Sequence, residues 1–351
     1  MIISFGKDLN LSHNKHKMMK NWFYICVIGL SSSLALAQPS EKIDGVSFVS
    51  SHESITDSHI QPIRSINANW TALSPFAFMA SLDNPEVRFN IDRQWRGERV
   101  DGIMEMCNTF KKNGIKIMLK PQIWIRRGEF TGQIMMKTDA DWQAFEKNYT
   151  DFILTYAKVA EEQKIELFSI GTELASFAKV RPDYWAELIK KVRAVYKGKL
   201  TYAENWDTYD NFPHWKKLDF IGIDAYFPLS EEKTPSVAGL IEAWKPYKEK
   251  IIQLSQSTGK KVLFTEYGYR SVDYTAKEPW NSSTAMANVN FEGQQNGLEA
   301  INKTFWGEAW FEGGFLWKWF HKHSESGGKT DSQYTVQNKP AEALIRSLYK
   351  R

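Results

Sequence analysis

The chain has 351 residues, of which 42% are hydrophobic and 25% charged, the composition of an ordinary globular protein that can bury a large core. Its net charge of +4 comes largely from four lysines within the first 37 residues, and the remaining residues carry 41 basic and 40 acidic side chains. This near neutrality argues against a nucleic-acid partner and fits an uncharged substrate.

Residues 1–37 have the pattern of a leader. The stretch 18–37 begins with a basic residue, continues through an apolar centre and ends in the small-residue pattern Ala-Leu-Ala at Ala37. We expect cleavage before Gln38, and therefore a secreted or periplasmic protein, with translation starting at one of the two methionines at 18 and 19. The alternative is an uncleaved anchor helix, but the apolar run is shorter than the ~20 residues that span a bilayer.

From residue 38 onward, strand and helix patterns alternate with few breaks. Apolar, β-branched runs predict eight strands, at residues 42–49, 65–73, 115–124, 165–173, 199–206, 219–226, 262–266 and 313–320. Periodic apolar residues predict helices at residues 57–63, 96–113, 141–163, 182–196, 237–256, 291–306 and 340–349. We expect Asp139 to cap the third of these helices.

Eight strands with helices between most of them are the number that closes a (β/α)8 barrel. The length of the chain allows one such barrel together with a leader and long loops. No linker rich in proline, serine or glycine divides the chain. The sequence therefore predicts an α/β fold in which residues 38–351 form a single (β/α)8 TIM-barrel domain.

Two predicted strands end in a glutamate: the fourth in Glu173 and the seventh in Glu266, 93 residues further on. The carboxyl ends of the strands build the active site of such a barrel. A pair of carboxyl groups about 5–5.5 Å apart is what a retaining glycosidase uses, one as acid and one as nucleophile. Either glutamate alone is better explained by a salt bridge, but the two together favour glycoside hydrolysis.

Other side chains are predicted near the same end of the barrel. Lys120, Gln122 and Trp124 end the third strand, and Asn205 and Trp206 end the fifth. Their chemistry suits sugar hydroxyls and the apolar faces of sugar rings. Lys120 is equally well interpreted as a salt-bridge partner of Glu173.

Four further polar residues follow the later strands. Arg270 is predicted to orient Glu266 through its positive charge. Asp224, near the end of the sixth strand, has a catalytic and a structural interpretation of equal weight. His321 and His323 follow the eighth strand, and we interpret them as solvated rather than catalytic.

The aromatic residues, the cysteines and the histidines indicate what the protein can bind. The chain has 14 Trp, 14 Tyr and 21 Phe, most of which we assign to the core and a minority to a sugar-stacking groove. Of its two cysteines, Cys26 lies in the leader, so Cys107 has no disulfide partner within one mature chain and is predicted to be a buried core thiol. Neither a CxxC motif nor a histidine pair at metal-ligand spacing occurs in the core elements after residue 37, so we expect neither metal nor cofactor.

Five motifs occur in order along the chain: IGTEL at 170–174, NW at 205–206, IGIDAYFPL at 221–229, FTEYGYRSVD at 264–273 and QNKPAEA at 337–343. Together they resemble glycoside hydrolase family 113, a family of retaining β-mannanases with catalytic glutamates on strands four and seven of a barrel. The resemblance covers about residues 45–349.

The resemblance implies roles for four residues. Glu173 matches the acid/base, Glu266 the nucleophile, and Tyr226 the residue that hydrogen-bonds the nucleophile. Trp317 matches the aromatic floor under the sugar at the cleavage point. Thr172 stands where many members of the wider clan carry asparagine, so the resemblance does not imply how the 2-hydroxyl is held.

Strand alternation adds an expectation for the eighth strand. Trp317 and Trp319 should point to one side, with Leu316 and Lys318 on the other. We expect Trp317 in the groove and Trp319 in the core.

The sequence thus predicts a secreted, monomeric, retaining endo-β-1,4-mannanase that acts on a β-linked oligo- or polysaccharide without a cofactor. An endo-β-glucanase or a β-mannosidase on the same scaffold remains an alternative, because the loops decide these preferences. A barrel that only binds glycans is the alternative outside enzymes, and the presence of both glutamates argues against it.

Overall fold

A computed structural model describes residues 41–281, 283 and 287–351. The predicted leader lies outside the described residues. Residues 41–351 belong to one compact unit. No helix among the described residues combines the length and the apolar character needed to cross a bilayer.

Eight parallel strands form a closed barrel, which confirms the predicted (β/α)8 fold. The strands of the described chain are β1 (Ile43–Phe48), β2 (Trp70–Leu73), β3 (Phe76–Met79), β4 (Arg88–Phe89), β5 (Lys116–Leu119), β6 (Gln122–Ile125), β7 (Leu167–Thr172), β8 (Lys199–Asn205), β9 (Phe220–Asp224), β10 (Lys261–Tyr267) and β11 (Phe311–Trp319). Around the barrel the order is β1, β2, β5, β7, β8, β9, β10 and β11, which pairs again with β1. The predicted fourth and seventh strands are thus β7 and β10.

Helices surround the barrel. They are α1 (Asp57–Ser65), α2 (Val100–Lys112), α3 (Asp139–Glu162), α4 (Ala175–Val180), α5 (Pro182–Val195), α6 (Val237–Thr258), α7 (Phe291–Phe305) and α8 (Pro340–Leu348). All seven predicted helices are present, and the short α4 was not predicted. The predicted cap of α3 is wrong: Asp139 is its first helical residue, and Thr138 accepts a hydrogen bond from the Asp141 backbone N–H at 3.1 Å.

The core has two layers, as expected when strands face a barrel interior on one side and helices on the other. The smaller layer fills the interior of the barrel and consists of Ile43, Ala72, Met118, Leu167, Leu263 and Phe315. The larger layer packs the outer faces of the strands against the helices and contains Cys107, which is fully buried as predicted.

The third predicted strand differs from the structure. Residues 115–124 do not form one barrel strand, because β5 ends at Leu119 and Pro121, which has no backbone N–H to donate, separates it from β6. β6 leaves the barrel and pairs with β3, which in turn pairs with β4 in a separate three-stranded sheet. We call β3, β4 and β6 the side sheet.

Candidate active site

Lys120 lies at the centre of the polar residues inside the barrel mouth. It follows β5, is 1% exposed, and its Nζ contacts Oε1 of Glu266 on β10. The same Nζ lies 3.2 and 3.1 Å from Oδ1 and Oδ2 of Asp224, the last residue of β9. The predicted salt bridge of Lys120 to Glu173 is therefore replaced by a bridge to Glu266 and Asp224.

The charges of Lys120, Asp224 and Glu266 affect the pKa values of their neighbours in this group. Burial acts to lower the pKa of Lys120, but the negative charges of Asp224 and Glu266 together raise it, so the ammonium stays protonated. Burial and the charge of Glu266 raise the pKa of Asp224 to about 7. Thr265 Oγ1 also donates a hydrogen bond to Asp224 Oδ1 at 2.7 Å.

Both carboxylate oxygens of Glu266 are held. The hydroxyl of Tyr226 donates to Oε2 at 2.8 Å, and Nε2 of Gln122 lies 3.3 Å from Oε1 on the same side as Lys120. Glu266 is 7% exposed and faces the cleft described below. Its orientation is therefore fixed, and Lys120 compensates its negative charge.

Glu173 directly follows β7 and has a left-handed backbone, with φ of 51°. This conformation is uncommon outside glycine and is retained where surrounding contacts enforce it. Its N–H donates to the carbonyl oxygen of Ala203 at 2.8 Å, and its own carbonyl oxygen accepts from Thr131 Oγ1 at 3.1 Å. Both ends of the residue are thereby anchored at the barrel rim.

The carboxyl group of Glu173 differs electrostatically from that of Glu266. Burial and the negative charges of Asp224 and Glu266 raise the pKa of Glu173 well above its ordinary value, and Lys120 offsets only part of this effect. Among the residues that the structure describes, no hydrogen-bonded cation holds Glu173 in the way that Lys120 holds Glu266. Two carboxyl groups of one site thus differ: the raised pKa of Glu173 favours its protonated form, and Glu266 is paired with the ammonium of Lys120.

A cleft of about 1360 Å³ contains both glutamates. One wall is the side sheet, and exposed aromatic rings line the cleft along its length: Trp95, Trp124, Phe130 and Trp280. The largest exposed fraction belongs to Trp124, at 53%. Rows of exposed aromatic rings suit the apolar faces of successive sugar units. Trp124 thus reaches the cleft from the side sheet and not from the end of a barrel strand.

The predicted alternation along β11 is wrong for both pairs, because Trp317 does not share a side with Trp319, nor Leu316 with Lys318. Val46 pairs with Leu316 and Phe48 with Trp319, so one residue of β1 lies opposite two of β11, Trp317 and Lys318, and the pairing is shifted by one residue. Such a bulge breaks strict alternation. Trp317 and Lys318 both line the cleft, whereas Trp319 is fully buried in the larger core layer, as predicted.

The residues predicted at the end of β8 lie behind the cleft wall. Asn205 Nδ2 donates to Asp207 Oδ1 at 2.9 Å, and the ring of Trp206 stacks on Trp280 with 5.0 Å between centroids. Neither lines the cleft within the described part of the chain, but Trp280 does. Trp206 therefore supports a cleft residue that the sequence did not single out.

Arg270, which was predicted to orient Glu266, is not among its hydrogen-bond partners, which in the described part of the chain are Lys120, Gln122 and Tyr226. Arg270 is buried, and its Nε donates to the carbonyl oxygen of Ser332 at 3.4 Å. His321 and His323 are half-buried and contact Ser51 Oγ at 3.3 Å and a carboxylate oxygen of Glu342 at 2.9 Å, so their interpretation as solvated is wrong.

Sequence reasoning missed Trp280, and it did not identify the partners of two residues that it named. Gln122 was expected to contact sugar, yet it contacts Glu266, and Asp224 is the second acidic partner of Lys120. Trp280 lies in the loop after β10, where an isolated aromatic residue beside a proline is the only signal. The described residues contain no group of three His, Cys, Asp or Glu side chains arranged to hold a metal.

The comparisons with known proteins agree with this geometry. Residues 48–339 match the sequence model of Glycoside Hydrolase Family 113. Among solved structures, a β-mannanase of that family from Alicyclobacillus acidocaldarius is 26% identical, with a TM-score of 0.75 over 88% of this chain and 97% of that one. A second β-1,4-mannanase of the family is 24% identical, with a TM-score of 0.76 over 89% and 100%.

More distant structures share the barrel alone. A β-glucuronidase from Faecalibacterium prausnitzii is 14% identical, with a TM-score of 0.59 over 88% of this chain and 48% of that one. No curated protein sequence matches the chain.

Proposed function

The chain belongs to glycoside hydrolase family 113, and we propose that it is a retaining endo-β-1,4-mannanase with Glu173 as acid/base and Glu266 as nucleophile. The observation that carries this proposal is the contrast between the two carboxyl groups of the cleft. The pKa of Glu173 is raised, whereas Glu266 is held by Lys120 and Tyr226.

In the first step, an oxygen of Glu266 attacks the anomeric carbon while Glu173 gives its proton to the leaving oxygen. The glycosidic bond breaks, and a covalent ester joins the sugar to Glu266. Lys120 and Tyr226 fix the attacking carboxylate before the reaction, so little reorganisation is needed.

In the second step, water attacks the same carbon and gives its proton to Glu173, and Glu266 is released as a carboxylate. The ester has removed the negative charge of Glu266, which is one of the charges that raise the pKa of Glu173. The pKa of Glu173 therefore falls in the intermediate, and the same residue changes from acid to base.

Two observations support mannan as the substrate and internal cleavage as the mode. The similar structures within the family are β-mannanases. The cleft is larger than the ~300–1,000 Å³ usual for small-molecule pockets, and exposed aromatic rings from the side sheet and from three loops line it. This size suits several sugar units.

The test is hydrolysis of mannan, glucomannan and cellulose by the purified protein, with product sizes resolved by chromatography. We expect mannan to yield a ladder of oligosaccharides, and NMR of the first product to show the β anomer. Release of mannose alone would indicate a β-mannosidase, and preferential cleavage of cellulose a glucanase. Tight binding without any release of reducing sugar would indicate a glycan-binding barrel.

A further inference from the structure

Lys318 is a cation inside the cleft that the mechanism above does not use. It follows Trp317 on β11 across a cis peptide bond, at the one-residue shift in the pairing with β1, and both residues line the cleft that holds Glu173 and Glu266. Strand alternation alone would have turned Lys318 away. Lys318 thus lies in the same cleft as the two glutamates without a role in the proposed mechanism.

The amine of Lys318 contacts aromatic rings instead of acceptors. Nζ lies 5.5 Å from the ring centroid of Trp317 and 5.4 Å from that of Phe320. Within the described residues it makes no ion pair and no hydrogen bond. Lys120, by contrast, has both Glu266 and Asp224 as partners.

An ammonium group carries three N–H donors and no acceptor. Attraction to the two ring faces compensates part of its positive charge but leaves all three donors unused. Burial lowers the pKa of Lys318, while the negative charges of Glu266 and Asp331 act in the opposite direction. A partly desolvated donor facing a cleft is best satisfied by an oxygen of the ligand.

We propose that Lys318 is a substrate-contacting residue that donates a hydrogen bond to one hydroxyl oxygen of the sugar unit seated on Trp317, and so selects for sugars that carry this hydroxyl. This inference rests on the proposed function, because it assumes that a sugar occupies the ring face of Trp317. It adds a specificity-determining contact that neither glutamate provides.

The alternative is that Lys318 only packs against Trp317 and Phe320. In that case its replacement alters the ring positions and affects every substrate equally. A hydrogen bond to one hydroxyl predicts instead that the effect disappears when this hydroxyl is removed from the substrate. Substrates that lack single hydroxyl groups therefore separate the two roles.

The experiment compares wild type, Lys318→Met and Lys318→Arg on 4-nitrophenyl β-mannobioside and on analogues that each lack one hydroxyl. Methionine keeps the length and apolar stem without donors, and arginine restores the charge and the donors. Lys250→Met, on the exposed face of α6, is the matched control. Thermal unfolding of each variant shows whether the fold is kept.

We expect Lys318→Met to lower kcat/KM about 10- to 100-fold on the intact substrate, the range of a hydrogen bond to a charged group. On one of the deoxy analogues, Lys318→Met and wild type should be equal within about twofold, and Lys318→Arg should recover part of the loss on the intact substrate. Lys250→Met should match wild type throughout.

Equal losses on the intact substrate and on every analogue, or no loss at all, would overturn the inference. A different result would contradict the proposed function: a wild-type protein that does not hydrolyse mannan or mannooligosaccharides.

Discussion

At the scale of single residues, the roles that we propose for the two glutamates are ones that neither can perform for the other. We expect Glu173→Ala and Glu266→Ala each to reduce the hydrolysis of mannan at least 1,000-fold, on the order of the effect of removing a nucleophile. Each variant should retain cooperative thermal unfolding. Turnover near that of wild type in either folded variant would contradict the catalytic role proposed for that residue.

Azide separates the two roles. With an activated aryl glycoside, azide should rescue Glu266→Ala by attacking the anomeric carbon directly, giving a glycosyl azide of inverted configuration. It should rescue Glu173→Ala by attacking the covalent intermediate, giving a retained product. The opposite pairing of products would exchange the two assignments.

We expect the pKa of Glu173 to set the alkaline limb of the pH dependence. In the proposed role Glu173 must be protonated to act as an acid, so kcat/KM should fall as the pH rises through its raised pKa. Asp224→Asn removes one of the negative charges that raise this pKa, and the alkaline limb of the pH profile should move to lower pH.

Thr265→Val is a weaker version of the same change. It removes a hydrogen bond that lowers the pKa of Asp224, so Asp224 carries less negative charge near neutral pH and the alkaline limb should move in the same direction as in Asp224→Asn, but less far. An unmoved limb in folded Asp224→Asn would show that Asp224 does not act on the acid.

At the scale of elements, β11 distributes neighbouring residues between cleft and core. Trp317→Ala should lower kcat/KM for mannooligosaccharides roughly tenfold or more, since ~1.4 kcal/mol of lost transition-state stabilisation is a factor of ten. Trp319→Ala should instead lower the free energy of unfolding by about 3–5 kcal/mol, because a fully buried indole leaves a cavity. Kinetics and denaturant unfolding of both variants decide between these outcomes, and full activity in Trp317→Ala would contradict the role of its ring.

The N-terminus of α3 allows a test of helix capping that does not involve the candidate active site. Thr138→Ala removes the side-chain acceptor of the Asp141 N–H and should cost about 1 kcal/mol of stability. Asp139→Ala, one residue on, removes only a charge from the first turn and should cost less, about 0.3–1 kcal/mol. A larger loss of stability in Asp139→Ala than in Thr138→Ala would indicate that Asp139 is the cap, as the sequence suggested.

At the scale of the whole molecule, we propose that residues 1–37 direct export and are removed. The protein secreted from a bacterial host should begin at Gln38 by N-terminal sequencing, and light scattering should give the mass of a monomer. A secreted or membrane-bound species that still begins at Met18 or Met19 would count against cleavage.

The sequence by itself determined the barrel and the two glutamates, because both depend on short-range signals. The eight barrel strands were predicted from local runs of apolar residues, and Glu173 and Glu266 stand where two of those runs stop. The chemistry of a strand end follows from that position, since the carboxyl ends of parallel strands meet at one side of a barrel.

Only the tertiary structure decided the partners of these residues. Lys120 is 104 residues from Asp224 and 146 from Glu266, and the three meet because the closed barrel brings β5, β9 and β10 to one mouth. The departure of β6 into the side sheet places Trp124 in the cleft, and a one-residue shift between β1 and β11 places Lys318 there. Register and closure arise from pairing between distant strands, which no local pattern of residues specifies.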